Sequence, residues 1–486
     1  MTAFRLSALS CAVLLGGCTV GPDYVRPDVA TPAAYKTAPG WTGAVPSDHL
    51  DRGKWWQVFG DPVLNGLADR ALSANQTIAQ AEAAYRQARA VTREQRSSLF
   101  PVVDLSGAGT RSGTGGGNTV TTVGTGGTTT VSSSSSNSSS YQVSIGASWE
   151  PDLFGRIRRT IDNASATAEA RLADLASSQL SIEGELATNY LNLREADAEI
   201  ALVRQTITGY ERALKIATNR YNAGIVARTD VFQAQSQLAT TRSELEGLDR
   251  NRRTYENAIA VLVGEPASSF AVPAATWTPT VPDVPTGLPS EILQRRPDIA
   301  AAERAVAAAN ATIGIETSAF FPTVTLSGEG GVQASGIGKL FASSATLWSF
   351  GASLAQTLFD AGARRARVAQ ARAAYDVTVA AYRQTVLVAF QDVEDQLVAS
   401  RILARQETLL RDAVTASNRA EANTLNQYEA GLITYTDVVT AQATALNARR
   451  NALQTAVDRQ TAAVALIQSL GGAWSETGAT PPVRPS

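Results

Sequence analysis

The sequence predicts a mainly α-helical protein with a small set of β-strands and an internal two-fold repeat. Tyr221 and Tyr428 both begin the pattern Tyr-x-Ala-Gly, which Thr-Asp-Val follows in each copy, and the two copies lie 207 residues apart (428 − 221). A second pattern, Phe-Pro with a later Leu-Ser-Gly, starts at Phe100 and recurs 221 residues later at Phe321. Duplication of this kind usually indicates a symmetric or stacked architecture.

Four segments alternate between apolar residues and small or polar ones, as half-buried strands do. In residues 141–150, one face carries Tyr, Val, Ile, Ala and Trp, and the other carries Gln, Ser, Gly and Glu. The four predicted strands lie at about residues 101–112, 141–153, 322–333 and 346–358. Loops at 113–140 and 334–344 join them into two hairpins, one in each repeat. Phenylalanines at the opposite ends of the strands suit the rim of a membrane barrel.

Four strands are too few to close a membrane barrel, because such barrels have about eight strands or more. An open sheet edge in hydrocarbon would leave backbone groups unpaired, at several kcal/mol each. If the hairpins lie in a membrane, identical copies must therefore associate, and the sequence alone leaves the number of copies open. The alternative for the strands is a soluble sandwich with a hydrophobic core, and the alternative for the whole chain is an elongated helical bundle beside a small sheet.

Two segments without proline, residues 156–222 and 363–429, are each 67 residues long, about 100 Å of helix. Apolar residues recur in them at steps of three and four, which predicts lengthwise packing as in a coiled coil. Shorter helices are predicted at 63–99, 229–263, 289–321 and 436–470. Two short helices together match one long helix in length. We therefore expect them to stack end to end, with the irregular segments gathered midway as an equatorial belt.

The N-terminus is typical of an exported lipoprotein. A short apolar run ends in Leu15-Gly16-Gly17 directly before Cys18, and it is too short to span a bilayer as a helix. Residues 1–17 are therefore predicted to be a signal peptide, and Cys18 is predicted to be acylated. The alternative is an ordinary signal peptide with an incidental cysteine. Cys11, the other cysteine of the chain, lies within the signal peptide.

Composition excludes several classes of function. The chain has 42 basic and 44 acidic residues without a basic block, so nucleic-acid binding has no support. His49 is the single histidine, which leaves no histidine cluster for a metal, and no nucleophile motif or phosphate loop is present. We therefore predict that the protein is not an enzyme and has no cofactor apart from a covalent lipid on Cys18.

Three motifs carry a family resemblance. The chain has Val-Gly-Pro-Asp-Tyr directly after Cys18-Thr19, a tryptophan pair at Trp55 and Trp56, and the run Arg-Arg-Pro-Asp ending at Asp298. Together they resemble the TolC-like outer membrane factor family, in its NodT-type lipoprotein branch, over nearly all of the mature chain.

The resemblance implies a homotrimer with a twelve-stranded β-barrel, four strands per protomer, continued by a long α-helical barrel in the periplasm. It implies a lipid-anchored protein in the outer membrane of a Gram-negative bacterium. Its partners would be a periplasmic adaptor protein, an inner-membrane transporter of the resistance–nodulation–division type, and membrane lipid. The function expected is passive export of drugs or other small toxic compounds. The alternatives are a duct for type I protein secretion and an adhesive trimer without a pore.

The resemblance also implies sites at the two helix turns. The residues expected to dock the adaptor are Gly224, Thr229, Asp230, Gly431, Thr436 and Asp437. A candidate periplasmic gate comprises Asp437, Val438 and Val439. The alternative for these positions is simple helix termination by glycine and helix initiation by Thr-Asp.

These inferences define the expected domains. Residues 18–62 form a lipid-anchored segment and belt, 63–264 a first efflux repeat, 265–288 an equatorial linker, 289–471 a second repeat and 472–486 a C-terminal tail.

Overall fold

The computed structural model describes residues 19–29, 53–113, 120–123, 129–132, 137–282 and 296–472. The chain divides into two compact units: residues 1–26, 87–168 and 305–378 belong to the first, and residues 27–86, 169–304 and 379–486 to the second. The predicted signal peptide, Cys18, the segment 283–295 and the tail 473–486 lie outside the described residues. Among those that are described, no helix has the length and apolar character needed to cross a membrane.

Seven α-helices are described, in addition to a short 3₁₀ helix at Trp55–Phe59. They are α1 (Pro62–Ala74), α2 (Gln76–Ser97), α3 (Arg156–Asn222), α4 (Arg228–Leu262), α5 (Pro297–Ser318), α6 (Ala363–Glu429) and α7 (Tyr435–Ser469). The two long helices, α3 and α6, have 67 residues each, and the two returning helices, α4 and α7, have 35 each. The predicted lengths of these four helices are confirmed.

The first unit contains a four-stranded antiparallel sheet. Its strands are β1 (Val102–Gly113), β4 (Asn137–Trp149), β5 (Thr323–Ala334) and β6 (Thr346–Ala355), in the order β1-β4-β5-β6. Each predicted hairpin is present, and β4 pairs with β5 to join the two repeats. Among the described residues of one copy, strands β1 and β6 therefore each keep one unpaired edge.

The predicted strand ends were wrong at two places. Strand β4 covers Asn137–Trp149 rather than 141–153, because Pro151 has no N–H to continue a ladder. Strand β6 ends at Ala355 rather than 358. Its partner there is Thr323, the first residue of β5, and the preceding Pro322 has no N–H to extend the pairing. The segment between β1 and β4, expected to be a plain loop, also contains a short antiparallel pair, β2 (Val120–Val123) with β3 (Thr129–Ser132).

The residues after Cys18 pack against helices of the first unit. The N–H of Val20 donates to the carbonyl of Phe154 (3.2 Å), and the amide of Asn310 donates to the carbonyl of Pro22 (3.0 Å). Arg159 donates to the Asp23 carboxylate (2.9 Å). Gly21 has a φ of 104°, and a Cβ built there would lie 2.5 Å from the Cα of Gly314. A side chain larger than hydrogen therefore does not fit at position 21.

The predicted helix 63–99 is interrupted at Asn75, where one continuous helix was expected. Asn75 has an extended ψ of 128° and is buried. Its side-chain oxygen accepts from the N–H groups of Thr77 (2.9 Å) and Ile78 (3.1 Å), and its amide donates to the carbonyl of Leu262 (2.8 Å). The side chain thus starts α2 and binds the end of α4 at once, which stabilises the break.

The core of the second unit is built around the tryptophan pair that the sequence singles out. Trp55 and Trp56 are almost fully buried and meet edge to face, with ring centroids 6.1 Å apart. Leu186 and Leu193 from the predicted α3 stripe, and Ile467 from α7, belong to the same cluster. The predicted α6 stripe is also buried at Tyr382, Val386, Phe390 and Val393. Leu172 and Tyr221, at the two ends of the α3 stripe, are exposed instead.

A buried ionic network lies beside this core. The phenol of Tyr190 donates to the Asp61 carboxylate (2.5 Å), and Arg194 donates to Tyr190 (3.0 Å) and to Asp197 (2.9 Å). Arg252 of α4 donates to the second oxygen of Asp197 (2.6 Å). Each charged group of this network has a hydrogen-bond partner, which is the condition under which charges are tolerated in an interior.

Helix α5 covers Pro297–Ser318 of the predicted helix 289–321, of which residues 289–295 lie outside the described residues. Proline suits the first helical position because that N–H has no partner within a helix. Arg296 donates to both Asp298 (2.8 Å) and Asp392 (3.1 Å), so the motif also attaches α5 to α6 within the second unit. Arg295 is outside the described residues.

Candidate functional site: the helix turns

The first turn joins α3 to α4 and is closed by Gly224. Gly224 has a φ of 70°, which L-residues rarely adopt. Its N–H donates to the carbonyl of Tyr221 (2.9 Å), and the N–H of Ile225 donates to the carbonyl of Arg220 (2.9 Å). This is the hydrogen-bond pattern of a Schellman helix end, which satisfies the last carbonyls of α3.

The second turn joins α6 to α7 and repeats the same geometry. Gly431 has a φ of 80°, its N–H donates to the carbonyl of Tyr428 (2.9 Å), and the N–H of Leu432 donates to the carbonyl of Gln427 (2.9 Å). Ile225 and Leu432, at matching positions of the two repeats, are 64% and 75% exposed. Each turn therefore presents one apolar side chain beside its glycine.

The returning helices begin one residue earlier than predicted, and they begin differently. Thr229 and Asp230 lie in the first turn of α4, whose N-cap is Ala227, a residue without a capping side chain. In α7 the N-cap is Thr434, and the Asp437 carboxylate accepts from its N–H (3.1 Å) and hydroxyl (2.8 Å) in a capping box. The expected cap residue Thr436 instead donates to the side chain of Gln233 (3.4 Å).

An apolar cluster lies directly behind the turns. It contains buried residues of all four helices: Ala213, Ala217, Val231, Ala234, Tyr428, Tyr435 and Val438. Val438, one of the three residues of the predicted gate, is completely buried in this cluster within the protomer. Val439 is half-buried against the same cluster, and Asp437 is exposed.

Arg220 connects the two turns. Its guanidinium lies 4.8 Å from the centre of the Tyr428 ring, and it donates to the carbonyls of Tyr428 and Glu429 at the end of α6. A cation is favourable there, because the carboxyl end of a helix carries partial negative charge. Tyr428 in turn meets Tyr435 edge to face, with ring centroids 5.3 Å apart.

The tyrosines of this cluster resist ionisation. Burial raises the pKa of Tyr435 to about 12, and the neighbouring Tyr428 and Asp230 act in the same direction. Burial also raises the pKa of Tyr428, with the Asp230 carboxylate adding to the effect. Both phenols are therefore neutral throughout the physiological range.

Sequence reasoning missed Arg220 and Tyr435. Both lie at positions where the two repeats differ: Arg220 matches Gln427, and Tyr435 matches Arg228, at the spacing of 207 residues. These differences between the repeats were the available signal, because a contact between two matching turns uses a different residue in each turn.

The described residues contain no group of three or more His, Cys, Asp or Glu side chains placed to hold a metal ion. Each turn presents a left-handed glycine and one exposed apolar side chain, and the second turn adds the exposed carboxylate of Asp437.

Comparison with known proteins identifies the family. The model of the outer membrane efflux protein family matches residues 67–265 and 288–472, which together are most of the chain. The chain belongs to this family. The two matched segments correspond to the two repeats.

Relatives of this family match the chain along its whole length. The outer membrane protein OprJ of Pseudomonas aeruginosa is 32% identical over 480 residues, which cover 98% of this chain and 97% of OprJ. The toluene efflux pump outer membrane protein TtgC of Pseudomonas putida is 31% identical over 480 residues, with the same two coverages. Among solved structures, the outer-membrane channel OprN is 31% identical, with a TM-score of 0.82 over 94% of this chain and 100% of the other.

This family membership confirms the expected fold, location and class of function. The protein is a trimeric outer-membrane efflux channel of a Gram-negative bacterium, with four strands per protomer contributed to the shared barrel.

Proposed function

We propose that the chain is the exit duct of a tripartite efflux pump, which receives small toxic compounds from a resistance–nodulation–division transporter through a periplasmic adaptor docked at the two helix turns. The observation that carries this proposal is the duplicated turn, with a left-handed glycine and an exposed apolar residue, Ile225 or Leu432, at matching positions. An adaptor with a repeated binding element would find the same feature twice on each protomer.

The expected docking residues lie around these turns. Gly224, Gly431, Thr229, Thr436 and Asp437 are exposed, and Asp230 is half-buried. The glycines leave the backbone accessible: a Cβ at Gly224 meets nothing within 4 Å, and one at Gly431 meets only Arg220 at 3.3 Å. Asp437, Val438 and Val439 stay the proposed periplasmic gate; in the protomer Asp437 is exposed, Val439 is half-buried and Val438 is buried.

Introduction of a negative charge at the apolar contact tests the docking role. We expect Ile225→Glu together with Leu432→Glu to abolish adaptor cross-linking and drug resistance while the trimer still forms. Leu409→Glu is the matched control, because Leu409 is 68% exposed on α6 but lies 22 residues before Gly431. Normal resistance in the double variant would refute docking at the turns.

We further propose that Cys18 carries the lipid that attaches the N-terminus to the membrane. Cys18→Ser should remove labelling by a fatty-acid analogue and reduce retention in the outer membrane. The first unit, which carries the strands, should still fold, because the barrel rather than the lipid provides most of the affinity for the membrane. Labelling that persists in the variant would refute the lipid assignment.

Deletion of the gene distinguishes efflux from the rival function, which is the export of secreted polypeptides. Efflux predicts greater susceptibility to toxic compounds with an unchanged secreted proteome, and protein secretion predicts the reverse. A pore-free adhesive trimer would give no ion conductance in a planar lipid bilayer.

A further inference from the structure

Arginines are concentrated where the helices of the first unit meet the sheet. Helices α2 and α5 end just before β1 and β5, while α3 and α6 begin just after β4 and β6. All four helix ends therefore lie at the same end of the strands. Phe100 and Phe359, which are 69% and 87% exposed, lie at this end of the sheet, beside the two outer strands. Exposed aromatic residues at such a position indicate the border of the membrane.

The arginines beside the central strand β4 are neutralised within the protomer. Arg156 bonds the Glu150 carboxylate at 2.9 Å, and Arg158 bonds Asp152 at 3.1 Å. Arg159 has the Asp23 carboxylate of the N-terminal segment at 2.9 Å. These charges need no further partner.

The arginines beside the outer strands are different. Arg93 and Arg96 on α2, and Arg365 and Arg367 on α6, are all exposed. None of the four makes an ion pair or a side-chain hydrogen bond with any described residue. Glu94 is the one carboxylate of residues 87–100, and Asp360, the one carboxylate of residues 359–372, is already bonded to Arg364. Positive charge is therefore in excess here.

Their depth matches that of lipid headgroups. With a rise of 1.5 Å per residue, Arg96 and Arg93 lie within about 6 Å of the end of α2, and Arg365 and Arg367 within about 6 Å of the start of α6. A headgroup layer is roughly 5–8 Å thick on each side of the hydrocarbon. The four guanidinium groups therefore reach the phosphates of the periplasmic leaflet.

Closure of the trimer brings the two pairs together. In a ring of identical copies, the free edge of β6 must pair with the free edge of β1 in the next copy, because no other edges remain unpaired in the described sheet. Helix α2 precedes β1 and helix α6 follows β6. Arg93 and Arg96 of one copy therefore approach Arg365 and Arg367 of its neighbour.

We propose that each boundary between two copies is a binding site for the phosphate of an anionic phospholipid in the periplasmic leaflet. The two arginine pairs, one from each copy, hold the phosphate oxygens between them. Arginine suits this role because its planar group can donate two parallel hydrogen bonds to a phosphate. The proposal rests on the trimeric fold and is independent of the pump partners and of the lipid on Cys18.

The occupant must be an anion, because without one four like charges would converge at each boundary. Glu94 could offset only one of them. A phospholipid is favoured over a free anion, because its acyl chains would contact exposed apolar side chains of the outer strands, such as Leu105, Trp348 and Phe350, while its phosphate is at the arginines. Three such sites would be present in each trimer.

Native mass spectrometry of the detergent-purified, full-length trimer tests the site. The trimer is titrated with phosphatidylglycerol, with zwitterionic phosphatidylethanolamine, and with inorganic phosphate. We expect tighter binding of phosphatidylglycerol than of the other two, up to three molecules per trimer. Each basic residue near a membrane surface contributes about fivefold to the affinity for an anionic lipid. Arg93→Gln with Arg96→Gln should therefore weaken this binding by about 25-fold.

A second variant tests whether the site is shared between copies. Arg365→Gln with Arg367→Gln should give a similar loss, although these residues lie on a different helix. The matched control is Arg405→Gln with Arg419→Gln, which removes the same charge from exposed positions of the second unit and should leave lipid binding unchanged. Replacement of Arg93 and Arg96 by lysine should restore most of the binding.

Three outcomes would overturn the proposal. Unchanged phosphatidylglycerol binding in both double variants would show that these arginines do not hold the lipid. Equal binding of inorganic phosphate would show a free-anion site. If the variants instead destabilise the lipid-free trimer, the arginines pair with protein carboxylates across the boundary.

Discussion

The guanidinium of Arg220 lies against the ring of Tyr428, 4.8 Å from its centre, and donates to the Tyr428 carbonyl. The two residues belong to the turns of different repeats, so this contact joins the end of α3 to the end of α6. It combines a cation–π interaction with the capping of a helix carboxyl end. The second turn is therefore ordered partly by a side chain of the first.

Replacement of Arg220 by alanine should loosen the second turn. The variant loses the ring contact and the guanidinium donor to two α6 carbonyls, of which that of Tyr428 keeps the N–H of Gly431, at a cost of about 1–2 kcal/mol. We expect amide hydrogen exchange in residues 428–436 to accelerate by about tenfold, as measured by mass spectrometry. Arg242→Ala is the control, because Arg242 forms an exposed ion pair with Glu211 at 2.7 Å, which contributes little. Equal effects of the two variants would contradict the role of Arg220.

Much of the fold could be predicted because its signals are local and occur twice. Glycine at the helix ends, proline before strands and the apolar stripe of α6 each determine structure over a few residues. The long helices α3 and α6 and the two hairpins of the sheet follow from them. The identity of the family was likewise predictable from short motifs such as the one that ends at Asp298.

The errors arise where distant residues decide the structure. The break at Asn75 depends on the Leu262 carbonyl, 187 residues away, which no local pattern reveals. The burial of Val438 likewise results from the packing of four helices, which its place after the turn does not reveal. The contact between Arg220 and Tyr428 joins residues 208 positions apart. It has no symmetric counterpart in the repeat, because Gln427 is at the position that matches Arg220. The order of the strands and the number of copies also depend on pairing between distant edges.

Replacement by alanine should lower the stability of the protein at a turn glycine and raise it at a glycine within a helix. Gly224→Ala places a Cβ on a residue with a φ of 70° and should cost about 1–2 kcal/mol. Gly209 lies inside α3, where an added Cβ meets nothing within 4 Å, so Gly209→Ala should stabilise by about 0.5–1 kcal/mol. Apparent melting temperatures of the two detergent-purified trimers provide the comparison. A shift of the same sign in both would contradict the assigned backbone geometry.

The break between α1 and α2 should depend on both ends of the Asn75 side chain. Asn75→Ala removes the cap and the donor to Leu262, and the loss of a cap together with an unsatisfied buried carbonyl should cost about 2–4 kcal/mol. Asn75→Asp keeps the capping oxygen but faces the Leu262 carbonyl with a carboxylate. We expect both variants to lower the melting temperature. Asn189→Ala is the control, since Asn189 is half-buried and bonds only a carbonyl of its own helix at 2.9 Å. Loss of stability in that control alone would refute the assignment.

Glu195 of α3 should make the stability of the second unit depend on pH near neutrality. Burial raises the pKa of Glu195 from its ordinary 4.5 to about 7, and the carboxylates of Glu199 and Asp458 add to the rise. Because the folded-state pKa lies above the unfolded one, the stabilisation is complete below pH 4.5 and is lost as the pH rises through 7. Glu195→Gln should remove this dependence and stabilise the protein above pH 7 by about 1–2 kcal/mol after solvent screening. Melting temperatures between pH 5 and pH 8 would measure it, with Glu211→Gln as an exposed control. A parallel pH profile for the wild type and Glu195→Gln would show that Glu195 is ionised across this range.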